Sequence, residues 1–351
     1  MKTLLVHMSI AIVASACHVG IAGTKTDPSQ LKIEGLSNAS LIAADNLLVA
    51  IEAGGAFQLD AKTGQIENTY ASGSDAFGAI YATDGRAFVT DKAAGTLVEL
   101  DSASNAIISS IVVGTSPQQP ALTASGRIFI PMSGEASIAV VDTAGSLRLL
   151  RKIDTGLGTK PHIVSLSPDQ KTLWATVQGR DPKVIAISVS SNGEQVAKEF
   201  RYDLVPRVLF ATNEGAFFTA HHSTGLHFAN LATGVASTIY MDVNGTASEP
   251  RKQIEGVAAN NDGSLLALTH EGRKAVVTLR RTGDGSYERN CDISPLPAKP
   301  YWVSLDSAGE VAFVSIPDAG LVQALDIRSC SLSPLWSSSL GGKAKRMSVK
   351  P

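Results

Sequence analysis

The sequence has little of several features that would point directly to a function. It contains three cysteines and 5% aromatic residues, and its 30 Lys and Arg nearly balance its 32 Asp and Glu. Nucleic-acid binding needs a clustered cationic face, which this balance does not supply, so we expect no nucleic-acid partner. No stretch has the period of a long amphipathic helix, whereas glycine is plentiful at 31 residues. This combination favours many short strands joined by turns.

Long apolar runs are also scarce, and the most marked one lies within the first 23 residues. It covers residues 4–16, which is too short to span a bilayer, and small residues follow it. This arrangement is typical of a secretory signal peptide cleaved after Ala22. Alternatively, Ala14-Ser15-Ala16-Cys17 resembles a bacterial lipobox, and Cys17 would then carry a lipid. We therefore predict a periplasmic or secreted protein, with a lipid anchor at Cys17 as its one route to a membrane.

An internal repeat organises the remainder of the chain. In each repeat an apolar run, a turn, a second apolar run, a polar break and a third run follow one another, and a fourth run closes the unit. The turns recur every 39 to 48 residues, at Asp45-Asn46, Asp84-Gly85, Ser125-Gly126, Asp169-Gln170, Glu214-Gly215, Asp262-Gly263 and Ala308-Gly309. Asp-Gly and related pairs supply the backbone conformations that such tight connections need. Four strands per repeat, seven times over, predict an all-β, seven-bladed β-propeller with four-stranded antiparallel blades.

The predicted domain organisation is a signal peptide at residues 1–23, a lead-in at 24–36 and one propeller domain at 37–351. Ring closure leaves two alternatives. Residues 345–351 imitate the first strand of a further repeat, and residues 38–44 also fit as the first strand of repeat one. A terminal strand that closes the ring removes exposed sheet edges, so we expect truncation of either end to destabilise the fold.

Some repeats also carry a recognisable motif. Phe88-Val89-Thr90-Asp91 and Ala312-Phe313-Val314-Ser315 are similar to the Tyr-Val-Thr-Asn signature in the second strand of YVTN-type β-propellers, and residues 158–177 resemble that family's first hairpin. The resemblance covers nearly all of the mature chain and implies the propeller fold. It implies little about function, because similar propellers include periplasmic binding proteins, heavy subunits of amine dehydrogenases and sugar lactonases. Most repeats depart from the literal motif, so no site residue is carried over from the family.

Cys291 and Cys330 are the cysteines that remain beyond the export segment. They occupy similar strings, Arg-Asn-Cys-Asp-Ile-Ser-Pro and Arg-Ser-Cys-Ser-Leu-Ser-Pro, in consecutive repeats. Two cysteines in an oxidising compartment can pair. Equivalent positions on neighbouring blades, however, tend to lie further apart than the roughly 5–6 Å between Cα atoms that a disulfide needs. The sequence therefore leaves the disulfide and two free thiols as equal alternatives.

The repeat alignment also predicts which residues surround one mouth of the central channel. Counting seven residues back from each turn gives one position per blade near the start of the innermost strand. The ends of the second strands lie on the same face. On blades four to seven these positions hold unusual polar residues, namely His162, Arg207, His221, Glu255, His270 and Tyr301. We predict that a ligand binds at this face.

Two interpretations of this face stay open. Arg207 can hold a carboxylate or phosphate, while neutral imidazoles at His162, His221 and His270 can bind a divalent metal, with Glu255 adding an oxygen. Alternatively, the mouth is merely solvated and Arg207 is paired with Glu255. The spacing contains no HxH or HExxH pair, so a divalent metal cofactor depends wholly on the fold alignment.

The sequence supports three function classes. The first is an exported binding propeller that presents this face to a small polar ligand or a partner protein. The second is a lactonase-like hydrolase that activates water, with or without a divalent metal. The third is a propeller subunit of a periplasmic redox complex. Because Ser223 has no assigned base and no Gly-x-Ser-x-Gly elbow occurs, we expect a binding protein rather than an enzyme.

Overall fold

The computed structural model describes residues 42–82, 84–101, 104–191, 193–241, 253–260 and 262–350. The predicted signal peptide and Cys17 lie outside these residues. Within them, 28 strands form seven four-stranded antiparallel sheets. The prediction of an all-β, seven-bladed propeller is therefore confirmed. No helix in the described part of the chain is long and apolar enough to cross a membrane.

Each blade runs from an innermost strand at the channel to an outermost strand at the rim. Blades 1 to 3 use β1 (Asn46–Glu52), β2 (Ala56–Asp60), β3 (Ile66–Tyr70), β4 (Ala76–Tyr81), β5 (Ala87–Asp91), β6 (Thr96–Asp101), β7 (Ala106–Val112), β8 (Ala121–Leu122), β9 (Arg127–Met132), β10 (Ser137–Asp142) and β11 (Arg148–Asp154). Blades 4 and 5 use β12 (Thr159–Leu166), β13 (Thr172–Gly179), β14 (Lys183–Ser190), β15 (Gly193–Arg201), β16 (Pro206–Ala211), β17 (Gly215–Ala220), β18 (Gly225–Asn230) and β19 (Ala236–Met241). Blades 6 and 7 use β20 (Ile254–Ala259), β21 (Leu265–His270), β22 (Ala275–Arg281), β23 (Tyr287–Ile293), β24 (Val303–Leu305), β25 (Val311–Ile316), β26 (Leu321–Asp326) and β27 (Trp336–Ser339). The last strand, β28 (Lys343–Val349), belongs to blade 1.

The second strands are the most buried part of each blade. Every residue of β17 and of β25 is buried. Each blade stacks on a neighbour at both faces, so a middle strand has a sheet on either side and can be apolar throughout rather than alternating. Trp174 on β13 is fully buried, and its ring packs 5.3 Å from that of Phe200 on β15. The turn glycines Gly85 and Gly126, with φ of 87° and 86°, adopt the left-handed conformation that the turn prediction requires.

The C-terminal strand closes the ring. β28 pairs antiparallel with β1, from Leu47 opposite Val349 to Glu52 opposite Lys343, and it is the innermost strand of blade 1. Residues 42–44, the described end of the N-terminal alternative, precede β1 and are not in a strand. The indole Nε1 of Trp336 donates to the Ala61 carbonyl at 2.8 Å and joins blade 7 to blade 1 at the rim. Closure therefore joins the two ends of the described chain in one sheet.

Cys291 and Cys330 form a disulfide between blades 6 and 7, with Cα atoms 5.6 Å apart. Their sequence strings are alike, but their places in the blades differ. Cys291 lies on the outermost strand β23, whereas Cys330 lies in the connection between β26 and β27. Because the positions are not equivalent, the spacing that separates equivalent blade positions does not apply.

Candidate functional site

A repeated hydrogen bond fixes the residues at the channel mouth. In blades 5 and 6, Thr219 and Thr269 on the second strands donate to the backbone carbonyls of Glu255 and Tyr301 in the next blade, at 2.9 and 3.2 Å. In blade 7, Ser315 donates in the same way to Lys345, at 3.0 Å. In blades 2 and 4, the hydroxyls of Thr90 and Thr176 likewise donate to the backbone carbonyls of Gln118 and Arg207 in the next blade.

The hydroxyls that make this contact also accept from their own blade. Thr90 accepts from the Gly78 amide at 2.9 Å, and Ser315 accepts from the Trp302 amide at 3.1 Å. Each hydroxyl thus ties its own innermost strand to the next one around the ring. Thr90 and Ser315 belong to the two strings that resemble the YVTN signature. In the structure, their hydroxyls hold neighbouring innermost strands in place around the channel.

Arg346 on β28 lies across the channel just below the mouth and is fully buried. Its guanidinium carbon lies 4.2 Å from the ring centre of Phe77 on blade 2 and 5.5 Å from that of Trp302 next to blade 7. Its Nη2 lies 3.1 Å from Nε2 of His162 on blade 4. One side chain therefore contacts residues from three other blades.

The guanidinium of Arg346 is only partly satisfied. Within the described residues, its Nε and Nη1 atoms have no hydrogen-bond partner, and it forms no ion pair with a carboxylate. Burial lowers the pKa of Arg346, and the hydroxyl of Tyr301, which lies near the guanidinium but forms no hydrogen bond with Nε or Nη1, opposes that lowering. Guanidinium groups nevertheless stay protonated in proteins, so a buried positive charge is left with two donor atoms available.

His162 lies against this charge and is held neutral. Burial is the largest cause that lowers the pKa of His162 well below its usual 6.5, and the positive charge of Arg346 adds to it. A guanidinium can only donate, so Nε2 of His162 must accept the hydrogen bond from Arg346. The imidazole therefore positions Arg346 without changing its charge.

A second cluster lies beside it and contains Arg207, Glu255 and His221. Arg207 pairs with the buried carboxylate of Glu255 through Nη2. Its Nη1 lies 3.3 Å from Nδ1 of His221, which must therefore accept. Gln253 donates to the other carboxylate oxygen of Glu255 at 3.0 Å. Every member of this cluster thus contacts Arg207 or Glu255.

Burial shifts both titratable partners of Arg207 toward their neutral forms. It raises the pKa of Glu255 from 4.5 to about 7, although the neighbouring charge of Arg207 pulls the pKa of that carboxyl down. Burial, and then the charge of Arg207, lower the pKa of His221. A carboxylate with a pKa near neutrality can take up and release protons at physiological pH, which is what a general base requires.

Arg207, Gln253 and Glu255 open onto a cleft of about 240 Å³ between blades 5, 6, 7 and 1, whereas the buried Arg346 does not line it. Lys345 lies at its edge, with Nζ 5.0 Å from the ring centre of Tyr301 and 3.1 Å from the Glu52 carboxylate. Lys299 pairs with Glu271 at 3.1 Å on the opposite side. The cleft combines cationic, acidic and aromatic groups, which can contact a small polar molecule.

The predicted site residues are partly brought together. Arg207, Glu255 and Tyr301 line the cleft, whereas His221 does not line it and contacts Arg207. The Arg207 guanidinium lies 6.0 Å from the ring centre of Tyr301. His270 is buried, and its Nδ1 accepts from the backbone amide of Arg273 at 3.2 Å, so it is not part of the cleft lining.

The three histidines proposed for a metal are not brought into one group in the described part of the chain. Within the described residues, no group of three or more His, Cys, Asp or Glu side chains could hold an ion. The physical reason lies in their partners. His162 and His221 each direct one ring nitrogen at a guanidinium, which is a cation, and His270 accepts from a backbone amide.

Sequence reasoning missed Arg346 and Lys345. The alignment assigned the mouth position of blade 1 to residue 38, whereas the structure places β28 there, with Lys345 accepting the recurring hydrogen bond. The signal that could have found them was present, because residues 345–351 imitate the first strand of a repeat. Counting that strand as innermost assigns Lys345 and Arg346 to the channel mouth.

Comparisons with known proteins support the fold alone. No protein-family model matches the chain, and no curated protein sequence matches it. A solved protein from Lactobacillus plantarum aligns with a TM-score of 0.73 at 17% identity, over 88% of this chain and 99% of that one. The periplasmic gluconolactonase of Pseudomonas aeruginosa aligns at 0.68 and 17%, over 87% and 99%. Hydrazine synthase of Kuenenia stuttgartiensis aligns at 0.59 and 17%, over 77% and 84%.

The chain therefore shares the propeller architecture of these proteins. At these identities the likeness extends to architecture and not to activity. The YVTN-type assignment stays a prediction, as do the exported location, the ligand-binding role and membership of a redox complex.

Proposed function

We propose that the channel mouth binds a small organic anion carrying a carboxylate or phosphate group. The observation that carries the proposal is Arg346, a fully buried guanidinium with two unpartnered donor atoms and no carboxylate paired to it in the described part of the chain. Burying an unpaired charge costs several kcal/mol, whereas an anion placed against it forms strong charge-assisted hydrogen bonds. Arg207, Lys345 and Lys299 also line the adjoining cleft, where each is paired with a carboxylate, so Arg346 is the cation on which the proposal depends.

Binding can be measured directly by titration calorimetry. Gluconate and inorganic phosphate serve as anionic probes, and glucose serves as the neutral counterpart of gluconate. We expect Arg346→Gln to weaken anion binding by about 10- to 100-fold, because a hydrogen bond to a charged group contributes about 1.5–3 kcal/mol. Arg148→Gln is the matched control, since Arg148 lies exposed on the outermost strand of blade 3.

Two results would contradict this proposal. One is equal affinity for gluconate and glucose, because the guanidinium would then add nothing. The other is unchanged gluconate and phosphate affinity in Arg346→Gln. Trp302 packs against the Arg346 guanidinium, so tryptophan fluorescence gives an independent reading of occupancy at the same place.

Ester or lactone hydrolysis is a second candidate, favoured by the pKa of about 7 at Glu255. The Glu255 carboxylate would take a proton from water as the water oxygen bonds to the ester carbonyl carbon. Arg207 would stabilise the negative charge that develops on the carbonyl oxygen. The carbon–oxygen bond of the ester would then break, and protonated Glu255 would return its proton to the departing alkoxide, which regenerates the carboxylate. The fold likeness to a gluconolactonase supports this candidate.

The hydrolase candidate is tested by pH-stat assay with gluconolactone, corrected for spontaneous hydrolysis. We expect the rate to rise with pH as Glu255 loses its proton around pH 7, and Glu255→Gln to lower kcat by about 100- to 10,000-fold. Binding of gluconate without turnover of the lactone would support the binding function and exclude lactonase activity on this substrate.

A further inference from the structure

The outermost strand of blade 2 presents an open, apolar edge. β7 pairs with β6 along one side and is the last strand of its sheet. Ile107, Ile108 and Val112 on this strand are 46%, 56% and 69% exposed. They are three of the ten exposed large apolar side chains within the described residues. Unpaired strand edges of this kind readily recruit another strand.

The other outermost strands are protected differently. Charged side chains occur on four of them: β3, β11, β15 and β23. β19 and β27 have no charge, but β19 exposes Met241 alone among large apolar residues, and the described part of β27 exposes only serines. β7 therefore lacks the lysines and acids that usually discourage edge-to-edge pairing, and it also exposes apolar side chains.

The register of β7 shows which backbone groups point away from the blade. Val112 lies opposite Thr96, and the amide of Val113 donates to the Gly95 carbonyl at 2.9 Å. Hydrogen-bonded and non-hydrogen-bonded positions alternate along an antiparallel pair. Residues 109, 111 and 113 therefore bond inward to β6, and the amides and carbonyls of Ser110 and Val112 point outward.

We propose that β7 pairs antiparallel with β7 of a second copy of this chain, around a two-fold axis at Ser110. This register places Ser110 opposite Ser110 and Ile108 opposite Val112. Paired residues must share a face and have outward-pointing backbone groups, and Ser110 and Val112 meet that requirement. Ile108 is the extra residue at the register shift between Glu99 and Leu100, where the alternation is interrupted, so its contact with Val112 is argued from its exposed side chain and not from backbone pairing.

The second copy is favoured over a different partner because the strand is complementary to itself. Apolar faces apolar and serine faces serine in the proposed register, and no charge is placed opposite a like charge. The net charge of the chain is −2, so long-range repulsion between two copies is weak. A single strand pair buries less than the roughly 1,200 Å² of stable complexes, so the expected dimer is weak and depends on concentration.

Sedimentation velocity from about 5 µM to about 500 µM tests the proposal, because a weak dimer has a Kd within or near this range. We expect the sedimentation coefficient of the unmodified protein to rise with concentration. Ser110→Lys, which places two lysines side by side on the axis, should hold the protein as a monomer throughout. Val196→Lys is the matched control, since Val196 is 42% exposed on the outermost strand of blade 4, and it should dimerise normally.

Hydrogen exchange provides a second measurement that does not depend on a variant. The amides of Ser110 and Val112 should become protected at high protein concentration, while amides on β15 should not change. A monomer at every concentration would overturn the proposal. A dimer that persists in Ser110→Lys, or that forms without protection of these amides, would overturn it as well and would assign the contact to another surface.

Discussion

Glu255 makes the stability of the propeller depend on pH in a way that one substitution removes. Burial raises the pKa of this carboxyl from 4.5 to about 7, so the folded state holds the proton more tightly than the unfolded chain does. The stabilisation is fully present below pH 4.5 and is lost as the pH rises through about 7. The difference between 4.5 and about 7, at about 1.4 kcal/mol per pKa unit, is about 3 kcal/mol.

Glu255→Gln imitates the protonated carboxyl and cannot titrate, so it should escape this loss. We expect the free energy of unfolding of the variant, relative to the parent protein, to rise by about 3 kcal/mol between about pH 4.5 and about pH 8. Urea unfolding at a series of pH values, followed by circular dichroism, measures this difference. Other titrating groups are common to both proteins and cancel. Parallel curves for the two proteins would refute the assignment of a raised pKa to Glu255.

Three further changes have expected outcomes. Deletion of residues 343–351 removes β28 and should lower the free energy of unfolding by an amount comparable to its whole value, about 5–15 kcal/mol. A thermal melt with an unchanged midpoint would contradict closure by this strand. Cys330→Ser should lower the free energy of unfolding by about 4 kcal/mol, because Cys291 and Cys330 are 39 residues apart; reductant should destabilise the parent but not the variant. Trp174→Ala should cost about 3–5 kcal/mol in urea unfolding, and a loss below about 1 kcal/mol would show that the ring is not packed as described.

The blade architecture could be predicted because its determinants are local in the sequence. Turns such as Asp84-Gly85 and Ser125-Gly126 mark where one strand ends and the next begins, and both glycines adopt the expected left-handed conformation. The third run that was predicted for each repeat is present as a strand, for example as β6 in blade 2 and β10 in blade 3. A repeat that recurs seven times also averages out errors at any one boundary.

Ring closure could not be predicted in the same way. Two terminal segments matched the innermost strand equally well, and the choice depended on a pairing between β1 and β28 at opposite ends of the chain. That choice decided the site, because it brought Arg346 into the channel beside Phe77 and Trp302. The disulfide was left open for a related reason, since the loop position of Cys330 cannot be seen in the repeat spacing.

The sequence by itself determined that this chain is a seven-bladed propeller, because strand length, turn chemistry and period are properties of neighbouring residues. It also identified Arg207, Glu255 and Tyr301 as residues of one face. Only the tertiary structure decided their chemistry. A pKa of about 7 at Glu255 and an unpaired guanidinium at Arg346 arise from burial among groups on different blades, and burial is a property of the closed ring.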